Sequence, residues 1–215
     1  MTRPGEALRL ALRDFYANSW RLVPANAALG LLLVLVVAAV LATRAALVLL
    51  VLAGPVAAAV VHCAVTLVRT GEVRTVTAVE GLRLHWRRGL ALGAAGTALV
   101  GLGVLAVGFY ARSLHAWPLA FVTLYLVAAC GVYQVVLWTI AIAEPEQPLA
   151  AVAREAAELI ARRPGATVAL GAALLLVNAI GVAAALMPFL TLTVAYSFLA
   201  AAHFALPHPI SEGSS

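Results

Sequence analysis

Along the chain, long apolar runs alternate with short segments in which charge recurs at helical spacing. The runs are Leu22–Ala42, Ala45–Leu67, Gly89–Tyr110, Leu119–Ile142, Ala166–Leu186 and Phe189–Leu206. At about 1.5 Å per residue, roughly 20 apolar residues cross a hydrocarbon core about 30 Å thick. The pattern therefore predicts an all-α, polytopic membrane protein with about six transmembrane helices. Pro188 divides what would be one stretch from Ala166 to Leu206. Proline lacks a backbone N–H and clashes with the preceding turn, so a tight hairpin is expected at Met187-Pro188. The last run is the shortest, and five spans with an interfacial last segment is the alternative. A long patterned segment precedes the first run, and no small-x-small site leads into a polar region. That run is read as a retained span rather than a cleaved leader.

The polar segments are amphipathic. Near the N-terminus, Leu8, Leu12 and Phe15 share one helical face while Arg9 and Arg13 share another. In Thr77–Arg88, Val79, Leu82 and Trp86 oppose Glu80, Arg83 and Arg87, and Thr77 with Glu80 forms a capping box. In Leu149–Arg163, Val152, Ala156 and Leu159 oppose Glu155, Glu158 and Arg162. Each segment ends on interfacial residues before a pair of spans: Trp20-Arg21, Trp86-Arg87-Arg88 and Arg162-Arg163-Pro164. An amphipathic ring and a long cationic side chain both suit the headgroup boundary. The organisation expected is three hairpins, each preceded by an interfacial helix. These pseudo-repeats, 2–67, 75–142 and 149–206, fall in one membrane domain, 1–210, with a polar tail, 211–215.

Charge sets the expected orientation. With the N-terminus inside, the outer turns hold only Arg44 and Arg112 of the 14 arginines. Arginine resists translocation, so both termini are expected on the cytoplasmic side of a bacterial inner membrane.

Composition reinforces this class. The 215 residues are 64% hydrophobic and 11% charged, with mean hydropathy +1.04. A soluble domain carries about 25% charged residues. Lysine is absent, which reads as the codon bias of a GC-rich bacterial genome. The net charge of +5 is explained by arginines flanking apolar runs, so no nucleic-acid partner is expected. Cys63 and Cys130 lie within apolar runs and form no CxxC motif.

Candidate chemistry is sparse. No Asp or Glu falls inside an apolar run. Glu144 and Glu146 flank Pro145 at the exit of the fourth run and read as solvated. The five histidines are scattered, with no HExxH and no Cys/His cluster, so neither catalysis nor a metal or cofactor is expected. Glycines 93, 96, 101, 103 and 108 lie within one apolar run and read as helix-packing positions rather than a phosphate loop. Gly181 and Ala185 offer a similar contact, and self-association is the alternative use of such faces. Gln134 and Asn178 are the clearest polar residues deep in spans. They read as interhelical hydrogen bonds or as the lining of a substrate path. Gly54-Pro55 is expected to kink the second span.

Several motifs resemble those of the YesL-like family of bacterial membrane proteins, whose domain has no established biochemical function. They are Ser19-Trp20 with Pro24-Ala25-Asn26, Ala53-Gly54-Pro55-Val56-Ala57, and Val68-Arg69-Thr70-Gly71-Glu72. Two more follow, Arg163-Pro164-Gly165-Ala166-Thr167 and Leu186-Met187-Pro188-Phe189-Leu190. The chain departs from the family after Glu72, where Trp86 is the only aromatic in Val76–Arg88 and Asp is missing. The resemblance implies an accessory role associated with carbohydrate uptake, beside an ABC transporter permease. The residues alone favour a non-enzymatic accessory or scaffold. Its partner-facing or headgroup-facing groups would be Arg9, Arg13, Arg21, Arg83, Arg87, Arg88, Arg162 and Arg163. A small-molecule transporter or channel without buried acidic coupling residues is the alternative.

Overall fold

The computed structural model describes residues 3–74, 76–112, 114–184 and 192–206. Seven α-helices and no strand occur among them. They are α1 (Pro4–Ala42), α2 (Ala53–Thr70), α3 (Thr77–Tyr110), α4 (Trp117–Ala143), α5 (Leu149–Arg162), α6 (Pro164–Ala183) and α7 (Val194–Ala205), with a 3₁₀ segment, Arg44–Leu52, leading into α2. Five stretches are long and apolar enough to cross a bilayer: α1, the 3₁₀–α2 unit from Ala45, α3, α4 and α6. The chain is an integral membrane protein of the polytopic helical class. The expected turn at Met187-Pro188, the motif around it, Ala185, His208 and the polar tail lie outside the described residues.

Two of the three interfacial segments are not separate helices. At about 1.5 Å per residue, the 39 residues of α1 and 34 of α3 run about 58 and 51 Å, well beyond a ~30 Å core. Their first turns are the amphipathic segments, continuous with the spans. α1 bends at Asn18 (φ −117°, ψ 15°), shortly before Pro24, which offers no N–H to the Trp20 carbonyl. Only α5 is detached from its span. Pro164 cannot extend α5, and Arg163 leaves helical geometry (φ −139°, ψ 57°).

The buried faces correct the expectation for α3 and, at Leu12 alone, that for α1. In α1 the enclosed side chains are Ala7, Ala11, Phe15 and Leu22, whereas Leu12 is 62% exposed and Leu8 half-buried. In α3 the enclosed positions are Thr77, Gly81, His85 and Gly89, while Val79, Leu82 and Trp86 point outward. The reason is close approach. A methyl group on Gly81 would stand 2.7 Å from His62 Cβ, and one on Gly89 would stand 2.8 Å from the Gly54 carbonyl oxygen. In α3 the narrow face wins because it lets the two helices meet closely; the bulkier apolar face is left to the interface. For α5 the expectation holds: Val152, Ala156 and Leu159 are buried.

The core gathers at the arginine-bearing end, around α7 and the final turns of α2 and α4. α7 packs against α1, α2 and α4, and Leu199, Ala200, Ala201 and Ala202 are wholly enclosed. The sixth apolar run is thus, in its described part, an inner helix rather than a lipid-facing span. Buried Asn26 of α1 accepts a hydrogen bond from the Ala195 N–H at 2.6 Å. That satisfies one of the first N–H groups of α7, which have no partner within their own helix.

Candidate functional site

Arginines from neighbouring helices close the end of α4. The last carbonyls of a helix lack intrahelical partners and carry its negative dipole end. Arg69 of α2 donates to the Ala143 carbonyl at 2.9 Å and pairs with Glu144 at 2.7 Å. Arg88 of α3 donates to the carbonyls of Pro145 and Gln147, the latter at 2.8 Å. Arg21 of α1 donates to the Val73 carbonyl at 2.6 Å. These bonds put the start of α1, the α2–α3 connection and the exit of α4 on one end of the molecule. α7 joins the start of α1 as well: Tyr196 donates to the Leu8 carbonyl at 3.1 Å, and His203 meets Asp14 at 3.0 Å.

The eight arginines singled out from the sequence therefore divide. Arg21 and Arg88 serve the fold. Arg9, Arg83 and Arg163 are exposed. Arg13 lies 3.4 Å from Asp14, Arg162 pairs with Glu158 at 3.2 Å, and Arg87 stacks over Trp86 at 5.1 Å. Exposed Leu12, Tyr16 and Trp20 lie beside Arg9 and Arg13, and exposed Val79, Leu82 and Trp86 beside Arg83 and Arg87.

The two polar span residues also separate. Asn178 Nδ2 donates to the Leu174 carbonyl and to Ser197 Oγ, both at 2.8 Å, so it ties α6 to α7. Gln134 lines an open pocket of about 330 Å³ bordered by α1, the 3₁₀ segment, α2, α3, α4 and α7. Its Oε1 is buried without a hydrogen-bond partner among the described residues, as is Oγ1 of Thr97 on the same cavity.

This cavity lies where the second span changes from 3₁₀ to α geometry. Pro55 supplies no N–H for the Val51 carbonyl, and that oxygen would stand 3.0 Å from a methyl group on Gly93. The expected break at Gly54-Pro55 thus appears as a change of helix type beside the cavity. Of the glycine run, Gly93 contacts α2, Gly101 and Gly103 meet Leu47 and Val127, and Gly96 and Gly108 face open space.

Sequence reasoning missed the pairing of His62 with His85, whose ring nitrogens stand 3.2 Å apart between α2 and α3. Residue spacing across two helices gave no signal for it. Among the described residues no group of three or more His, Cys, Asp or Glu converges. It also missed Asn26, although an Asn four residues into an apolar run was visible. Compared with known proteins, the chain matches no family model, no curated protein and no solved structure.

Proposed function

We propose that this integral membrane protein is a non-enzymatic accessory that presents a cationic and aromatic surface to a partner protein at its arginine-bearing end. One observation carries the reading: the division of the arginines. Arg21, Arg69 and Arg88 brace the connections of that end, while Arg9, Arg13, Arg83 and Arg87 remain exposed beside Trp20, Tyr16 and Trp86. Arginine and large aromatics on a stiff support are the residues that dominate binding energy at protein interfaces. The arginine distribution supports a cytoplasmic placement of this end, in a bacterial inner membrane. The resemblance to the YesL-like family supports a carbohydrate ABC permease as the partner class.

The test is co-purification with a co-expressed permease in mild detergent, quantified by mass spectrometry. Wild type should retain the permease, and the pair Arg83→Glu and Arg87→Glu should reduce recovery about tenfold or more, the scale of one interface hot spot. Recovery of the wild-type chain as a lone species would refute the reading. The transporter alternative draws on the unpartnered Gln134 oxygen. It requires a selective loss of solute flux in proteoliposomes carrying Gln134→Leu.

A further inference from the structure

We propose that His62 and His85 form an acid-sensitive clasp, which holds the first turns of α3 against α2 and releases them when both rings are charged. Their facing nitrogens, His62 Nδ1 and His85 Nε2, stand 3.2 Å apart. His85 is buried and His62 half-buried. At that separation one nitrogen carries the hydrogen and the other supplies the lone pair. A neutral pair meets this requirement. So does a pair holding one extra proton on a nitrogen that faces away. A second extra proton breaks it, because each facing nitrogen then carries an N–H and each ring a positive charge, away from bulk water.

The surroundings direct the repulsion onto α3. Val60, Val61, Cys63, Ala64 and Val65 lock α2 into the core. From Thr77 to Gly89 the buried positions of α3 are Thr77, Gly81, His85 and Gly89, so His85 is the one bulky side chain enclosed there. His62 lies against Gly81: a methyl group on that glycine would stand 2.7 Å from its Cβ and 2.9 Å from its Cγ and Cδ2. The His62 ring therefore cannot turn away on that side while α3 stays in place. The charges acting on the two rings come from α3, Glu80 on His62 and Arg88 on His85. Glu80 is exposed and screened by solvent, whereas Arg88 adds to the repulsion. Elsewhere at this end, Arg69 of α2 is paired with Glu144 beyond α4, and His203 of α7 with Asp14 of α1. Arg21 of α1 is bonded to the Val73 carbonyl. Arg88 is also tied to the carbonyls of Pro145 and Gln147, so the opening pivots there and frees residues 77–87. That segment carries exposed Arg83, Trp86 and Arg87, and the clasp acts on it whatever the surface binds. Two separate histidines each take a proton as pH falls through about 6.5; the closed pair takes one fewer. The closed state therefore loses ground to the open one by about tenfold per pH unit below that value.

The experiment uses the full chain in nanodiscs of phosphatidylethanolamine and phosphatidylglycerol. Amide hydrogen exchange is followed by mass spectrometry at pH 8.0 and 5.5, with each segment corrected for the intrinsic effect of pH. Protection of residues 77–87 should fall about tenfold at pH 5.5, while α5 (Leu149–Arg162) keeps its protection. Reading one segment separates the clasp from His203 and Asp14, which join α7 to α1. His85→Gln and His62→Gln should each abolish the fall, because an amide can turn either its donor or its acceptor to the remaining ring. Unchanged wild-type protection of 77–87 would overturn the proposal, and it does so even if neither variant folds. A loss shared equally by α5, or a fall of wild-type size in both glutamine variants, would overturn it as well.

Discussion

The two halves of α3 are both rich in glycine and differ in surroundings. From Thr77 to Gly93 the helix lies against α2 so closely that Gly81, Gly89 and Gly93 leave no room for a side chain. From Gly96 to Tyr110 it carries as much glycine, yet only Gly101 and Gly103 meet neighbours, the side chains of Leu47 and Val127, while Gly96 and Gly108 face open space and Leu102, Val104, Leu105 and Phe109 are exposed. Glycine abundance is therefore not a measure of packing. Only a glycine that faces a neighbouring backbone or side chain tightens a contact, and which ones do so depends on the rotation of α3 about its axis. The tight half coincides with the arginine-capped end; the cavity straddles the join, from Leu92 and Gly93 to Val100.

The largest expected effect tests the tight half. Gly89→Leu drives a side chain into the Gly54 carbonyl and Pro55, where neither backbone can yield. It should destabilise the protein by about 3 kcal/mol or more, at or beyond the upper end of overpacking penalties, read as loss of the folded fraction in detergent unfolding. An unchanged transition would mean that the two helices do not cross there.

A smaller effect separates the two polar span residues. Asn178→Leu removes the bond to Ser197 and should cost about 0.6–1.7 kcal/mol, the range for hydrogen bonds between membrane helices. Gln134→Leu removes a buried acceptor that has no partner and should leave stability unchanged or slightly raised in the absence of ligand. Equal losses from the two substitutions, measured by the same unfolding assay, would erase the distinction drawn between them.

The smallest effect belongs to the loose half. Gly108→Ala meets nothing within 4 Å and gains helix propensity of up to about 1 kcal/mol. A modest rise in unfolding temperature is expected; a fall would show that the position has a close neighbour after all.

The membrane class, the apolar spans, the arginine asymmetry and the buried face of α5 were legible in the sequence, because each depends on local composition and helical period. The amphipathic faces of α1 and α3 were misread for a physical reason. Hydrophobicity ranks side chains by their preference for leaving water, and at a bilayer boundary an outward Trp86 or Leu12 has somewhere apolar to go. In α3 size then decides which face turns inward, and Gly81 and Gly89 win that contest. Gln134 and Asn178 were found as candidates from polarity alone, but only their neighbours separate a hydrogen bond from an open acceptor.

By itself, then, the sequence determined that this chain inhabits a bilayer, where its spans run and which end gathers its positive charge, since apolar length and arginine placement act residue by residue. The tertiary structure alone decided that Arg21, Arg69 and Arg88 cap other segments' carbonyls, that α7 lies inside the bundle, and that a cavity opens beside Gln134. Those outcomes depend on which helix faces meet and how closely their backbones approach, and no single helix's pattern contains that information.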